Sequence, residues 1–203
     1  MASPPQQSNE TARLEAFSDG VFAIAITLLV LEIRLPAGHE SLAYKLADTW
    51  PSYLGYAVSF VTIGIMWANH HAVFRLIART THGLIVGNLV LLMTVAFLPF
   101  STAVLAEHLR HADADRTAAA VFYSGTFVLI AIGFQVLWQV AAKGNRLILS
   151  GCEDAAAQIS RSYRWGIPSY AVATLLSWWS PVAGLALVGA MAVFWLIPRG
   201  QLD

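Results

Sequence analysis

Residues 13–33 read RLEAFSDGVFAIAITLLVLEI, and this stretch decides the fold. Ser18 and Asp19 stand directly before an apolar run from Val21 to Leu31. A charged side chain inside a bilayer costs a few kcal/mol, so a carboxylate at the edge of a span must be capped, paired or hydrated. The stretch therefore predicts a membrane-spanning helix with an acidic group at one end.

The composition of the whole chain agrees with a membrane protein. Of its 203 residues, 57% are hydrophobic and only 12% are charged, whereas soluble domains carry about 25% charged residues. The formal net charge is zero, and no basic patch interleaved with aromatic residues suggests a nucleic-acid partner. The single cysteine, Cys152, excludes an intramolecular disulfide and a multi-cysteine metal site.

Six apolar segments predict an all-α integral membrane protein with six transmembrane helices. Each segment is about long enough to cross a hydrocarbon core of roughly 30 Å. Pro181 can begin a helix but not continue one, so residues 163–198 read as a helical hairpin with SWWSP at its turn. The predicted spans are 16–35, 50–73, 83–105, 117–142, 163–179 and 181–198.

The basic residues predict the orientation, because lysine and arginine are retained on the cytoplasmic side. An even number of spans places both termini on one side. With the termini inside, eight of the 12 basic residues are cytoplasmic, which predicts a multi-pass protein of the cell (plasma) membrane. These eight are Arg13, Arg75, Arg79, Lys143, Arg146, Arg161, Arg164 and Arg199. Residues 1–12 contain no Lys or Arg, so they read as a disordered tail rather than a signal peptide.

One face of the first predicted helix has two interpretations. At 100° per residue, a single stripe forms along it. The stripe either lines a pore, with large aliphatic side chains as constrictions and Thr27 offering a hydroxyl, or it faces lipid and neighbouring helices, with Thr27 bonded to its own helix. Its members are Gly20, Ile24, Thr27, Leu28 and Leu31.

Asp19 lies about 140° from Ile24 around the helix and so points away from the stripe. One interpretation makes Ser18 and Asp19 an N-cap, because exposed backbone N–H groups and the helix dipole favour a carboxylate. The other makes Asp19 a buried anchor for polar groups on other helices. Two adjacent histidines are 100° apart, so they cannot face one metal. The candidate partners are Trp67, Asn69, His70, His71 and Asn88.

Three motifs in order resemble the endosomal and lysosomal potassium channel family, transmembrane protein 175, in its bacterial branch. Arg13, followed after three residues by FSDG at 17–20, matches the RxxxFSDG signature. WANHH at 67–71 and NLVLLMTVAFLPFST at 88–102 match further on. The resemblance is strong over residues 13–105. Beyond them, helix number and length match rather than motifs.

The resemblance implies a homotetramer in which the first helix of each subunit lines a central pore. By motif position, Ile24 and Leu31 narrow the pore and Leu28 lies with them, while Thr27 provides a hydroxyl layer where K⁺ passes without a fixed metal site. The implied bracing network contains Arg13, Phe17, Ser18, Asp19 and Gly20 from the signature. His70 or His71, with Asn88, are its candidate partners, and the resemblance does not decide between the histidines.

The resulting prediction is a potassium channel with modest preference for K⁺ over Na⁺ and hydrophobic constrictions, formed by residues 13–199, with a tail at 200–203. Its partners are its own copies, the lipid bilayer, K⁺ and other monovalent cations, and it needs no cofactor. The alternative is a proton- or cation-coupled transporter with Asp19, His70 and His71 as a titrating relay. An enzyme is not expected, because Gly-x-Ser-x-Gly and His-Glu-x-x-His motifs are absent.

Overall fold

Helices make up most of the computed structural model, which describes residues 9–110 and 113–196. In chain order they are α1 (Asn9–Leu31), α2 (Leu42–Asp48), α3 (Trp50–Phe74), α4 (His82–Ala96), α5 (Leu98–His108), α6 (Asp113–Ala142), α7 (Glu153–Tyr163), α8 (Gly166–Trp179) and α9 (Pro181–Leu196). A short 3₁₀ turn at Lys143–Asn145 follows α6. The all-helical prediction is confirmed for the described residues.

Four helical segments of the described chain are long and apolar enough to cross a membrane. They are α1, α3, the joined pair α4 and α5, and α6. The joint between α4 and α5 lies at Phe97, two residues before Pro99. Proline has no N–H to donate to the carbonyl four residues earlier, so the helix breaks there without ending.

The last two predicted spans are shorter than expected. The segment predicted at 163–179 forms α8 only from Gly166, with 14 residues, and α9 has 16 residues. At 1.5 Å per residue these helices measure about 21 and 24 Å, against a hydrocarbon core of about 30 Å. The tight turn between them lies at Ser180, as predicted from Pro181.

The predicted N-terminal tail is partly wrong. Residues 9–12 belong to α1, whose start lies seven residues before the predicted start of the span at 16. Thr11 is buried and its hydroxyl lies 3.1 Å from that of Thr80, after α3. This tertiary contact holds a polar helical turn that hydropathy alone does not indicate. Residues 1–8 and the predicted tail at 200–203 lie outside the described residues.

Helix α6 is the central element, and it packs against α4, α5, α8 and α9. Small residues allow the close approach: a Cβ on Gly133 would lie 2.9 Å from the Cα of Leu91 in α4. Buried hydroxyls tie α6 to α8, where the Oγ atoms of Ser124 and Ser177 are 2.8 Å apart. Such small-residue contacts are the usual means of packing helices inside a membrane.

Two loops pair at the end of the molecule that carries α7. The loop after α3 and the loop after α6 form an isolated antiparallel bridge between Ile77 and Ile148. Its hydrogen bonds run from Ala78 N to Leu147 O at 2.7 Å and from Leu149 N to Leu76 O at 2.8 Å. We call this end, with α7 and the start of α1, the α7 face.

The contact between α8 and α9 predicts a strong effect of one added methyl group. A Cβ on Gly184 would lie 2.0 Å from Ser177 Oγ and 2.7 Å from the Ser177 backbone. Because a backbone cannot yield as a side chain does, Gly184→Ala should lower the free energy of unfolding by about 1–3 kcal/mol. Thermal unfolding in detergent measures this loss.

Gly189→Ala is the matched control on the same helix, because in the described part of the chain no atom of another element lies within 4 Å of the added Cβ. Alanine favours a helix over glycine by about 0.5–1 kcal/mol, so this variant should be as stable as the parent or more stable. Equal thermal unfolding midpoints for Gly184→Ala and Gly189→Ala would contradict the packing of α8 on α9.

At the opposite end of the molecule, Arg110 holds Asp48 by two hydrogen bonds. Its Nη1 and Nη2 donate to Asp48 Oδ1 and Oδ2 at 2.5 and 2.8 Å. The hydrogen bond from the guanidinium lowers the pKa of the Asp48 carboxyl. A lowered folded-state pKa contributes stability above the unfolded-state pKa of about 3.9, and the contribution is lost as the pH falls below it.

Asp48→Asn should therefore lower the unfolding midpoint at pH 7 and have a smaller effect near the acidic limit of folding. Thermal unfolding at both pH values gives the comparison. Glu32→Gln is the control, since Glu32 approaches Arg34 only to 3.9 Å and Arg34 is largely exposed. An Asp48→Asn effect that is independent of pH would show that the pair adds no charge-dependent stability.

Candidate functional site: helix α1 and its polar partners

Helix α1 has one buried face and one uncovered face. Ser18, Phe22, Ala25 and Leu29 follow one another at helical spacing and are at most 1% exposed. This face packs against α3, α4 and α5. Because side chains three and four residues apart share a face, the buried residues fix the rotation of the helix about its axis.

A chain of hydrogen bonds crosses the buried face from α3 through α4 to α1. His70 Nε2 lies 2.9 Å from Asn88 Oδ1, and Asn88 Nδ2 donates to Ser18 Oγ at 2.8 Å. Ser18 Oγ donates in turn to the carbonyl of Leu14 at 2.8 Å. All three side chains are fully buried. They join three helices through polar contacts that lipid cannot replace.

The direction of these bonds determines the tautomer of His70. Asn88 Oδ1 can only accept, so His70 Nε2 carries the proton and donates it. His70 Nδ1 has no hydrogen-bond partner among the described residues. The ring is stacked on Phe74 at a centroid distance of 4.4 Å, and Phe22 lies at 5.3 Å. A neutral ring fits this apolar enclosure, because burying an unpaired charge is expensive.

Asp19 and His71 belong to a second group of contacts, away from His70. Trp67 Nε1 donates to Asp19 Oδ1 at 2.8 Å. His71 Nδ1 lies 2.7 Å from Glu15 Oε1, and its ring stacks on Trp67 at 6.1 Å. This second group also links α1 to α3, but His71 and Trp67 are about half exposed. Asp19 thus has a partner on another helix.

The N-cap interpretation of Ser18 and Asp19 is wrong. Helix α1 begins at Asn9, so both residues lie well inside it, where backbone N–H groups are already bonded. Their side chains bind neighbouring helices instead. Sequence reasoning could not see this, because polar residues before an apolar run are typical of both arrangements.

The predicted stripe lies on the opposite face of α1 and is uncovered by the rest of the described chain. Ile24 is 59% exposed, Leu28 39% and Leu31 67%. Gly20 and Thr27 are also exposed. Thr27 Oγ1 donates to the carbonyl of Ile24 at 2.8 Å, so its proton points along the helix and its lone pairs remain available to a cation.

Three predicted network residues lie apart from both groups of contacts. Arg13 and Phe17 are exposed, and the described residues offer Arg13 no hydrogen bond or ion pair. Asn69 binds elsewhere: its Nδ2 donates to Trp195 O on α9 at 3.1 Å and to Ile65 O at 2.8 Å. The predicted bracing role of Arg13 and Phe17 stays a prediction.

The arrangement separates the two histidines that a titrating relay would join. His70 binds Asn88 and lies against phenylalanines, whereas His71 binds Glu15. Within the described residues no three His, Cys, Asp or Glu side chains come close enough to hold a metal ion. The chemistry that this site offers is therefore helix bracing on one face and hydroxyl and aliphatic groups on the other.

Sequence reasoning missed two features that position the site. Glu15, the partner of His71, lies one turn before Asp19, and this i, i+4 spacing is the signal that could have found it. A cluster of three buried hydroxyl groups joins α3, α5 and α6, where Ser59 Oγ lies 2.8 Å from Thr102 Oγ1 and 3.4 Å from the Tyr123 hydroxyl. No spacing rule links these three residues.

Comparison with known proteins finds one family for the signature region. Residues 13–99 match the model of the family described as endosomal/lysosomal potassium channel TMEM175. A potassium channel of Chamaesiphon minutus is 46% identical, over 97% of this chain and 98% of the relative. A potassium channel of Streptomyces collinus is 44% identical, over 92% of both chains.

Vertebrate relatives match a smaller part. The chicken endosomal/lysosomal proton channel TMEM175 is 34% identical over 66% of this chain, which corresponds to 28% of that protein. The crystal structure of the TMEM175 homolog from Chamaesiphon minutus, described as a potassium-selective channel, superposes with a TM-score of 0.83 at 44% identity. It covers 93% of this chain and 97% of that chain.

Proposed function

This chain belongs to the TMEM175 family of potassium channels, and we propose that K⁺ crosses the membrane through a pore lined by its helix α1. The chain is a membrane-embedded potassium channel and not an enzyme. One observation carries the proposal for the pore. The buried Ser18–Asn88–His70 chain fixes the rotation of α1, and this rotation turns Ile24 and Leu31 out of the subunit.

The stripe of α1 is not covered by other helices of its own subunit, so a single subunit cannot enclose a pore with it. A ring of identical subunits around one axis brings the same stripe from each copy to the centre. We propose a homotetramer, with six membrane-crossing helices in each subunit and both termini in the cytoplasm of a plasma membrane. The shorter α8 and α9 supply the last two crossings. The excess of basic residues on the side of the two termini supports the orientation.

In this pore, Ile24, Leu28 and Leu31 supply apolar rings, and the Thr27 hydroxyls form a polar layer among them. Apolar rings gate by dewetting, since water leaves a narrow hydrophobic passage. The Thr27 oxygens, with water, replace part of the hydration shell while K⁺ passes. Because no cage of backbone carbonyls surrounds the ion, the preference for K⁺ over Na⁺ should be modest. The ion passes without a fixed metal site or a cofactor.

The test is ion flux through the purified chain in planar bilayers. We expect unitary currents with a higher permeability for K⁺ than for Na⁺. The flux should not saturate with ion concentration in the way that a transport cycle does. Protein mass in detergent should be four times the 22.0 kDa of one chain. A flux that saturates and follows a pH gradient would support the alternative, a proton- or cation-coupled transporter using Asp19 with His70 or His71. A particle of one or two chains would contradict the shared pore.

A further inference from the structure

The uncovered face of α1 continues beyond Gly20 toward the start of the helix. Phe17, which is 53% exposed, and Arg13, which is also exposed, precede Gly20 by about one and two turns. At 100° per residue, Phe17 and Arg13 each lie within about 20° of Ile24 around the helix axis. The face that carries Ile24 therefore runs along almost the whole of α1.

The spacing along this face is regular. Steps of four and three residues alternate, which gives a seven-residue repeat. Such a repeat keeps one face of each helix turned to a common axis when helices wrap around one another with a left-handed supercoil. On a straight helix the six positions fall within an arc of about 80°. They are Arg13, Phe17, Gly20, Ile24, Thr27 and Leu31.

Contacts within the subunit fix the rotation of α1 at the level of Arg13 as well. The helix is continuous from Asn9 to Leu31. Thr11 is fully buried, and its hydroxyl lies 3.1 Å from that of Thr80. Around the axis Thr11 lies about 20° from the buried Ser18 and about 160° from Arg13. The buried face thus reaches the first turns of α1, and Arg13 points away from its own subunit.

Arg13 carries its positive charge on this face without a counter-charge from the described residues of its own chain. It forms no ion pair with them. Two nearby carboxylates of the same helix, those of Glu15 and Asp19, are bonded to side chains of α3. Glu10, three residues before Arg13, is exposed and forms no ion pair with it within the described chain. The guanidinium is therefore a fixed charge, since arginine stays protonated at physiological pH.

We infer that Arg13 lines the entrance of the pore at the α7 face and lowers the concentration of cations there. This role rests on the proposed pore, in which each copy of α1 adds one guanidinium to the entrance. A potential of one kT at the entrance lowers the local K⁺ concentration about threefold. Arg13 acts on the supply of ions, whereas Ile24 and Leu31 act on the wetting of the pore. K⁺ current that enters from the α7 face should be smaller than current from the opposite end.

The test changes the charge at position 13 after the channel has assembled. Arg13→Cys is recorded in planar bilayers before and after treatment with methanethiosulfonates that do not cross the membrane. The native Cys152 is buried, so the introduced thiol is the accessible one. In 0.1 M KCl, Arg13→Cys should raise the current that enters from the α7 face about threefold. A trimethylammonium reagent should restore the parental current, and a sulfonate reagent should raise the current further.

Salt concentration and three controls complete the design. In 1 M KCl the Debye length falls from about 10 Å to about 3 Å, so the differences should shrink. Ala12→Cys also places a thiol at an exposed position, but about 100° around the helix, and its modification should change the current much less. Arg13→Lys keeps the charge and should keep the parental asymmetry. The parent chain should not respond to either reagent.

Equal currents for the three charge states of Arg13→Cys, with Ile24→Asn still changing conductance, would leave the pore in place and remove Arg13 from its entrance. An equal response of Ala12→Cys would indicate a general surface potential and would also overturn the assignment. Loss of assembly in Arg13→Cys would make Arg13 a brace between copies, with Glu10 as the nearest acidic partner. Absence of K⁺ current from the parent chain would instead contradict the proposed pore itself.

Discussion

Ile24→Asn and Leu31→Asn should each increase the K⁺ conductance of the channel. Both side chains leave the subunit from the uncovered face of α1 and carry no polar atom. In the proposed ring of subunits, each position contributes an apolar constriction that water leaves, and ion passage then requires rewetting. Asparagine has as many side-chain heavy atoms as isoleucine or leucine and supplies a donor and an acceptor, so it keeps the constriction wet without closing it.

The size of the effect follows from the barrier that each ring contributes. A ring that adds about 1.4 kcal/mol to the barrier slows ion passage about tenfold, so its removal should raise unitary conductance by about that factor. Selectivity for K⁺ over Na⁺ should fall, because a wider hydrated passage strips less water from either ion. Recordings in symmetric and bi-ionic solutions measure both quantities.

Val30→Asn is the matched control for these two variants. Val30 is on the same helix and 50% exposed, but around the helix axis it lies about 120° from Ile24 and about 100° from Leu31. Its replacement should leave conductance unchanged. If Ile24→Asn and Leu31→Asn also leave conductance unchanged, or if Val30→Asn matches them, the assignment of the stripe to the pore is wrong.

The part of the site that follows helical periodicity could be predicted from the sequence. Spacing alone grouped Ile24, Thr27 and Leu31 on one side of α1 and put Asp19 elsewhere, and the structure shows the same separation. Hydropathy gave the long apolar helices, because bilayer thickness sets their length. These features need only the geometry of one helix.

The remaining features depend on contacts between distant segments. His70 and His71 are neighbours in sequence and 100° apart, so only the position of Asn88 on α4 decides which one is buried. The start of α1 was missed because its first turns are polar and are held by Thr80, far along the chain. The shortness of α8 follows from its junction with α7 at Trp165, which an apolar run does not mark.

The second large effect should come from the buried chain of hydrogen bonds. Asn88→Leu removes the acceptor of His70 and the donor to Ser18 together. A buried donor without a partner costs about 1–3 kcal/mol, and the hydrocarbon around these helices supplies no water to replace it. We expect Asn88→Leu to lower the free energy of unfolding by about 3 kcal/mol, measured by denaturant titration in detergent.

A double-mutant cycle isolates the bond between His70 and Asn88. His70→Phe keeps an aromatic ring against Phe74 and leaves Asn88 Oδ1 without its donor. Combined with Asn88→Leu it removes both partners, so the double variant should lose less stability than the sum of the single losses. Contacting residues in one network show coupling of about 0.5–3 kcal/mol. Additive losses would mean that the two side chains do not interact.

Two buried serines show whether a loss of stability comes from breaking this chain of hydrogen bonds or from removing any buried hydroxyl group. Ser18 and Ser101 are both fully buried, and each donates to a carbonyl of its own helix, Leu14 O or Leu98 O. Of the two, only Ser18 also accepts a bond from another helix within the described residues, and its donor is Asn88. Ser18→Ala should therefore destabilise the protein clearly more than Ser101→Ala. Because the same bonds set the rotation of α1, Ser18→Ala should also alter the K⁺ conductance. If Ser18→Ala and Ser101→Ala change stability and conductance equally, the proposal that this network positions the pore-lining face is wrong.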